Sequence, residues 1–303
     1  MPGEKVDGHE FAAAAVEAGA SGLVVERELE LDVVQVVVPD ARVAMAPLAA
    51  RFYGDPTGEL RVAGITGTNG KTTTAFLLRE ILEKAEARHG GMQCGLLGTV
   101  KQIVGGEAEK AARTTPEAVD LQSTFRRMVD GGDAACAMEV SSHALALHRC
   151  DAIRFKVAIF TNLTQDHLDF HADMEDYFQA KRLLFKMGPG IAVVNVDDPS
   201  GERLAAELDG PTGPPCLTFS AEGKEAHIIA TDVVLKPTGA EFRVVEPLGG
   251  LKTSAQATHY PPAGVVRTRL PGRFNVSNAL AAFAAAVSMG VEPDAAAAGL
   301  ARA

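Results

Sequence analysis

The chain has 303 residues, 47% of them hydrophobic, enough to bury one large core or two ordinary ones. A net charge of −10, a pI near 5.3 and the lack of any Lys/Arg cluster argue against a nucleic-acid surface. No apolar run reaches the about 18 residues of a membrane span, and the N-terminus has no basic-then-apolar signal. Cys94, Cys136, Cys150 and Cys216 are isolated, with no C-x-x-C pair. They point to reduced thiols inside a cytoplasmic protein, and a monomer is expected.

Taken in chain order, Asp7-Gly8 opens a helix over 11–18 that Gly19 closes. Residues 1–5 read as a strand-turn fragment, 23–26 and 33–38 as strands, and 43–52 as a helix. The turn cluster Tyr53-Gly54-Asp55-Pro56 marks a domain boundary. From Arg61 onward short β-rich runs alternate with helices. Strands are expected at 62–66, 96–100, 134–140, 157–162, 191–196 and 216–220, with helices at 72–87, 116–130, 177–187 and 201–208. This alternation predicts an α/β fold with a doubly wound, mostly parallel sheet. Residues 225–270 change to alternating runs with Gly/Pro turns, at 228–235, 241–246 and 265–270, and read as a small antiparallel appendage. An Ala-rich helix over 274–289 follows, and another begins at Pro293.

The most informative stretch is GITGTNGKTTT at 64–74. A β-prone run leads into a glycine turn, then Lys-Thr, then helical apolar spacing at Phe76, Leu77, Ile81 and Leu82. That order wraps backbone N–H groups around a polyphosphate. Gly67, Thr68, Asn69, Gly70, Lys71, Thr72 and Thr73 are the expected phosphate contacts; Lys71 reaches the β/γ-phosphates and the Thr72 hydroxyl can ligate Mg2+. The spacing is one residue shorter than the common phosphate-loop pattern, Gly64 lying seven before Lys71.

Further candidates sit at strand ends. Glu139 follows the apolar strand of MEVSSH (138–143), where a carboxylate faces the ligand crevice of such sheets. It reads either as a metal ligand or as part of a strand end where Ser141 or Ser142 caps a helix. FTNLTQDHLDFH (160–171) ends a second strand, and one of its histidines with a Glu could share a divalent cation with nucleotide phosphates; a solvated loop is the alternative. Lys181 lies 14 residues beyond His167, and by spacing alone it is a solvated helix lysine. Thr114 and Thr115 open a helix, as caps or as donors to an anionic substrate. Asn275 and Asn278 share a helix face and offer amides to an adenine edge, with helix capping as the alternative for Asn275.

Together and in this order, these runs resemble the Mur ligase family of peptidoglycan synthesis. Within it they look most like the diamino-acid-adding (MurE) type, which acts on UDP-N-acetylmuramoyl-L-alanyl-D-glutamate. The matching text is DGHEFAAAAVEAGA (7–20), GITGTNGKTTT, LLGTV (96–100), TTPEAVDLQ (114–122), MEVSSHALALHR (138–149), FTNLTQDHLDFH, DYFQAKRLLF (176–185), VVNVDD (193–198) and GRFNVSNALAA (272–282).

The resemblance implies a cytoplasmic ATP-dependent ligase that forms an acyl phosphate and then an amide to meso-diaminopimelate or L-lysine. The alternatives are another member, D-Ala-D-Ala-adding or folylpolyglutamate synthase-like, or a non-catalytic nucleotide-binding remnant. By the same resemblance Glu139, His167 and Thr72 bind Mg2+, Lys181 carries a CO2-derived carbamate, Asn275 and Asn278 lie at the adenine, and Lys71, Lys181 and His167 are catalytic. Thr114, Thr115, Ser141 and Arg149 grip the UDP-MurNAc-dipeptide. Leu147 stands where some members have glutamine, and Arg113 where some have asparagine. The implied organisation is a remnant of the UDP-substrate-binding domain (1–54), without its Ser-Arg substrate segment, then a central ATP-binding domain (55–303). The amino-acid-binding C-terminal domain is absent, so the chain is expected to hold a nucleotide site and ligate poorly.

Overall fold

A computed structural model of the chain describes residues 6–84, 92–111, 113–166, 170–245 and 264–303. The fragment expected at 1–5, the end of the helix expected at 72–87, and His167 lie outside the described residues.

The N-terminal unit follows its local signals closely. Asp7 caps a 3-10 turn, Gly8–Phe11, which runs into α1 (Ala12–Glu17), so the single helix expected at 11–18 is split. Strands β1 (Gly22–Val25) and β2 (Val34–Val37) pair in parallel, and α2 (Ala41–Phe52) starts at the Asp40 cap. A polar relay ties these pieces together: His9 Nε2 accepts from Glu26 N at 3.0 Å, and Glu26 Oε1 accepts from Ala41 N at 2.9 Å.

The rest of the described chain winds around one large sheet. β3 (Arg61–Thr66), α3 (Lys71–Lys84) and β4 (Cys94–Leu97) come first. The hairpin β5 (Gln102–Val104) and β6 (Glu107–Glu109) follows. Then come α4 (Ala118–Asp130), β7 (Ala135–Glu139), α5 (Ser142–Ala146), β8 (Phe155–Phe160), α6 (Met174–Lys186), β9 (Ile191–Asn195), α7 (Pro199–Leu208) and β10 (Cys216–Ser220). β11 (Ile228–Lys236), β12 (Gly239–Val245), β13 (Val265–Thr268), α8 (Arg273–Ser288) and α9 (Pro293–Arg302) complete it. The strand order is β13-β12-β11-β10-β9-β8-β3-β7-β4-β5-β6.

Strands β4, β7, β3, β8, β9 and β10 run parallel, as expected. β11, expected in the antiparallel appendage, instead pairs in parallel with β10 through Phe219 and Ile228, and β12 and β13 then add antiparallel to the same sheet. The hairpin β5–β6 has no counterpart in the sequence reading. Its turn, Gly105-Gly106, has φ of 58° and 85°, the conformation a two-residue hairpin turn needs.

Burial explains the composition of the strands. Both faces of the parallel sheet are covered, by α3, α8 and α9 on one side and by α4 to α7 on the other, so its strands are continuous apolar runs. Small residues bring layers close: a Cβ on Gly64 would lie 2.6 Å from the Phe155 ring. The alanines of α8 are buried against the sheet, which is why a helix with no polar stripe is stable there.

The chain leaves β3 for β4 on one side, returns through β7, and then crosses to β8 on the other. β3 is therefore a topological switch point, and the crevice at the carboxyl ends of β7, β3 and β8 is where such sheets bind ligands.

Candidate functional site

The glycine turn after β3 opens into that crevice. Gly67 (φ 151°) and Gly70 (φ 86°) both adopt backbone that other residues resist. A Cβ on Gly67 would collide with Thr161 Oγ1, and one on Gly70 with Asn278 Oδ1. The segment after β8 zips the turn shut. Thr68 N donates to Asn162 O and Asn69 N to Asn162 Oδ1, both at 2.9 Å, while Thr161 Oγ1 donates to Asn69 O at 2.7 Å. The turn is thus held in shape by the protein before any ligand arrives.

Two lysines converge on it. Lys71 Nζ donates to Gly67 O at 2.9 Å and to Thr68 O at 2.8 Å. Lys181 Nζ donates to the same Gly67 O at 2.9 Å and lies over the Tyr177 ring, 4.3 Å from its centre. Lys181 is only 1% exposed, so the solvated lysine that spacing alone suggests is not what forms. Tyr177, Phe178, Lys181, Leu184 and Phe185 share the buried face of α6, a placement that helical period permits but only packing decides. Burial pushes both ammonium groups below the usual lysine value. For Lys181 the depression is large, and the neighbouring Lys71 adds to it.

Glu139, at the end of β7 and 1% exposed, is the carboxylate of the site. Its Oε2 accepts from Thr72 Oγ1 at 2.9 Å and from Thr99 Oγ1 at 3.1 Å, and its Oε1 from Thr99 N at 2.8 Å. The predicted phosphate-loop threonine and the predicted metal carboxylate therefore meet. Among the described residues Glu139 forms no ion pair, only bonds to neutral donors, although its charge attracts Lys71. Thr99 was quoted within LLGTV without a role; its position just beyond a buried strand was the available signal. No group of three or more His, Cys, Asp or Glu side chains among the described residues is placed to hold a metal.

The predicted substrate residues gather beside this carboxylate. Thr115 Oγ1 donates to Glu139 O at 3.0 Å and accepts from Ser141 N at 3.2 Å. Thr114 Oγ1 lies 3.0 Å from Thr99 Oγ1. Ser141 caps α5 through Ala144 N at 3.2 Å, so the capping alternative and the site coexist. Arg149 donates to Thr115 O at 3.2 Å and pairs with Glu117 at 2.8 Å, while its buried Nε–H has no partner among the described residues. Thr114, Thr115, Ser141, Arg149, Lys71 and Lys181 all line one cleft of about 620 Å³. The two departures, Arg113 and Leu147, line it too.

A second hollow, about 670 Å³, lies on the other flank of the turn, against Asn69, Gly70, Thr73 and Asn278. Asn278 and Asn275 do not play equal parts. Asn275 Nδ2 donates to Pro271 O at 2.8 Å and its Oδ1 accepts from Asn278 Nδ2 at 3.2 Å. Asn275 thus orients Asn278 from behind. Phe274, 71% exposed, and Asp197 border this hollow as well, and neither was singled out from the sequence.

Comparison with known proteins agrees with this arrangement. Residues 65–286 match the Mur ligase middle domain. A UDP-N-acetylmuramoyl-L-alanyl-D-glutamate--2,6-diaminopimelate ligase of Geobacillus thermodenitrificans (strain NG80-2) is 43% identical over 298 residues, covering 96% of this chain and 56% of the relative. The protein of that name from Gloeobacter violaceus (strain ATCC 29082 / PCC 7421) is 43% identical over 305 residues, 99% of this chain and 57% of its own length. A solved structure of a ligase of the same name superposes with a TM-score of 0.81 at 27% identity, covering 97% of this chain and 57% of that one. The chain spans a little over half the length of the relatives it matches. With the strand order, the phosphate turn and these matches in agreement, the chain belongs to the Mur ligase family.

Proposed function

We propose that the chain carries the nucleotide and acceptor sites of an ATP-dependent ligase. That ligase joins a diamino acid to UDP-MurNAc-L-Ala-D-Glu. The observation that carries this reading is the meeting of two hollows at one phosphate turn, Lys71 on one flank and Asn69, Gly70, Thr73 and Asn278 on the other. A nucleotide lying in the second hollow presents its terminal phosphate to the first. Lys71, Arg113 and Arg149 give that first cleft the charge a multiply anionic acceptor needs. In the reaction, the acceptor carboxylate attacks the γ-phosphorus and ADP leaves. The incoming amine then attacks the acyl carbon, loses a proton, and phosphate departs. The names of the relatives favour 2,6-diaminopimelate over lysine as the added amine.

The donor set fits Mg2+, a hard cation that takes oxygen ligands: a buried carboxylate with no ion pair among the described residues, 2.9 Å from the Thr72 hydroxyl. Glu139 and Thr72 would hold it, with His167 as a third candidate, and it would supply charge neutralisation at the transferring phosphoryl group. Lys71 positions the β/γ-phosphates and spreads their charge.

The depressed basicity of Lys181 supports carbamylation, because only a neutral amine attacks CO2. In that step an N–C bond forms and the amine proton passes to solvent. Residues 1–54 then read as part of the UDP-substrate domain and 55–303 as the central ATP-binding domain. Among the described residues no helix is long and apolar enough to cross a membrane, and the acidic net charge argues against nucleic acid as a partner.

Titration calorimetry with a non-hydrolysable ATP analogue, with and without Mg2+, tests the reading. The parent chain should bind more tightly with Mg2+, and Lys71→Ala should weaken binding on the order of 100-fold, about 3 kcal/mol. No binding by the parent, or equal binding by the variant, would overturn it.

A further inference from the structure

Buried Ser142 and His171 and the exposed Asp176 form a hydrogen-bonded chain that the reaction above does not use. His171 is 2% exposed, with Nε2 2.9 Å from Ser142 Oγ and Nδ1 3.0 Å from Asp176 Oδ2. Ser142 begins α5, three residues after Glu139; Asp176 is in the first turn of α6, the helix that carries Lys181. One imidazole therefore bridges the two elements that deliver the carboxylate and the buried lysine.

The ring faces matter as much as the nitrogens. Tyr177 packs on His171 with centres 5.0 Å apart, and Lys181 Nζ sits over the Tyr177 ring before reaching Gly67 O. Beyond His171, Phe170 (4.9 Å) and His143 (5.8 Å), both in the cleft wall, meet its ring edge-on. Tyr177 and Lys181 are one helical turn apart on one face, so a shift of the first turn of α6 moves the amine rigidly with it. Imidazole alone among side chains carries two polar atoms in one flat ring, which is what bridging a hydroxyl and a carboxylate while stacking requires.

We propose that His171 is a positioning residue: by tying the first turn of α6 to the start of α5 it sets the Lys181 amine against the phosphate turn. This rests on the nucleotide-site reading only for its consequence, not for its geometry. Removing the bridge leaves Lys181 with its stem packed but its head free to swing, so the amine becomes reactive and the turn loses one of its two lysine anchors.

The test uses the full chain carrying His171→Phe, which keeps the ring and loses both bonds, and His171→Gln, which keeps a donor and an acceptor. Acetic anhydride labelling of Lys181, followed by peptide mass spectrometry and normalised to exposed Lys156, should rise about 10-fold in His171→Phe and less in His171→Gln. Affinity for a magnesium-bound ATP analogue should fall about 5-fold in His171→Phe, and that fall should vanish in a Lys181→Met background. Labelling unchanged within about two-fold, or the same loss of affinity in both backgrounds, overturns the proposal. Should His171→Phe not fold, as judged by its melt, the His171→Gln labelling rate decides. Should the parent bind no nucleotide, the ligase reading fails and the labelling ratio still decides the role of His171.

Discussion

The two hollows that meet at the phosphate turn differ in what marks them. Lys71 and Lys181, both anchored on Gly67 O, line the first, and its Thr99 holds the buried Glu139 together with Thr72. The second sets side-chain amides and the exposed Phe274 ring beside Asp197, Glu222 and Arg273, with Asn278 steadied by Asn275. The difference fits the acceptor and base sides proposed above. Charge that develops in phosphoryl transfer is stabilised best by groups that need not reorganise, whereas a base that does not react needs only shape and a few hydrogen bonds.

Breaking the lysine and carboxylate side should therefore cost more than breaking the amide side. Glu139→Gln keeps the shape and removes the charge. It should abolish the Mg2+-dependent part of analogue affinity, a loss on the order of 30-fold with Mg2+ present and near none without it, read by paired titrations. A loss of equal size in both buffers would mean Glu139 serves the fold rather than a cation. On the amide side, Asn278→Ala should weaken ATP-analogue binding by about 10-fold, the worth of one or two hydrogen bonds, and leave inorganic triphosphate binding unchanged. If triphosphate weakens too, Asn278 acts through Gly70 and the phosphate turn, and the contrast between flanks disappears.

The smallest effect is on stability. Burial depresses the folded Lys181 amine well below the unfolded value of about 10.4, so between the two the unfolded chain binds more protons and stability rises with pH. Lys181→Met should then melt higher than the parent at pH 7 in CO2-free buffer, on the order of 3 °C. The gap is full below the depressed folded value and should narrow as pH rises toward 10. A gap independent of pH would sink this account of the lysine.

How legible the molecule was varies with how local each feature is. The β3–turn–α3 unit could be read from a dozen residues, because a β-prone run, glycines at Gly67 and Gly70 and helical spacing after Lys71 are all local signals. The short hairpin at Gly105-Gly106 was missed although its glycine pair is a hairpin signal, since its strands of three residues carry no period of their own. Strand sequence alone also misleads about burial. Val34, Val36 and Val37 of β2 remain exposed, while Val193 and Val194 of β9 are fully covered, because β2 has one neighbouring strand and β9 lies inside the large sheet. The expected substrate residues Thr114, Thr115, Ser141 and Arg149 do reach one cleft. Thr99 escaped notice because its partner Glu139 lies 40 residues away. The capping alternative raised for Asn275 does not form, since Gly272 is the cap; Asn275 instead bonds Pro271 O and steadies Asn278, a role no local spacing signals.

By itself the sequence determined the order of most strands and helices, the glycine turn with its lysine and threonine, and, through the run of motifs, the family. Those follow from side-chain period, from backbone conformations that glycine adopts readily, and from residue types at short spacing. Only the tertiary structure decided that Lys181 is buried rather than solvated, that Glu139 answers to Thr72 and Thr99, and that His171 bridges two helices. The reason is that burial, charge state and hydrogen-bond partnership belong to neighbourhoods assembled from strands and helices far apart in the chain, and these exist only once the sheet has brought them together.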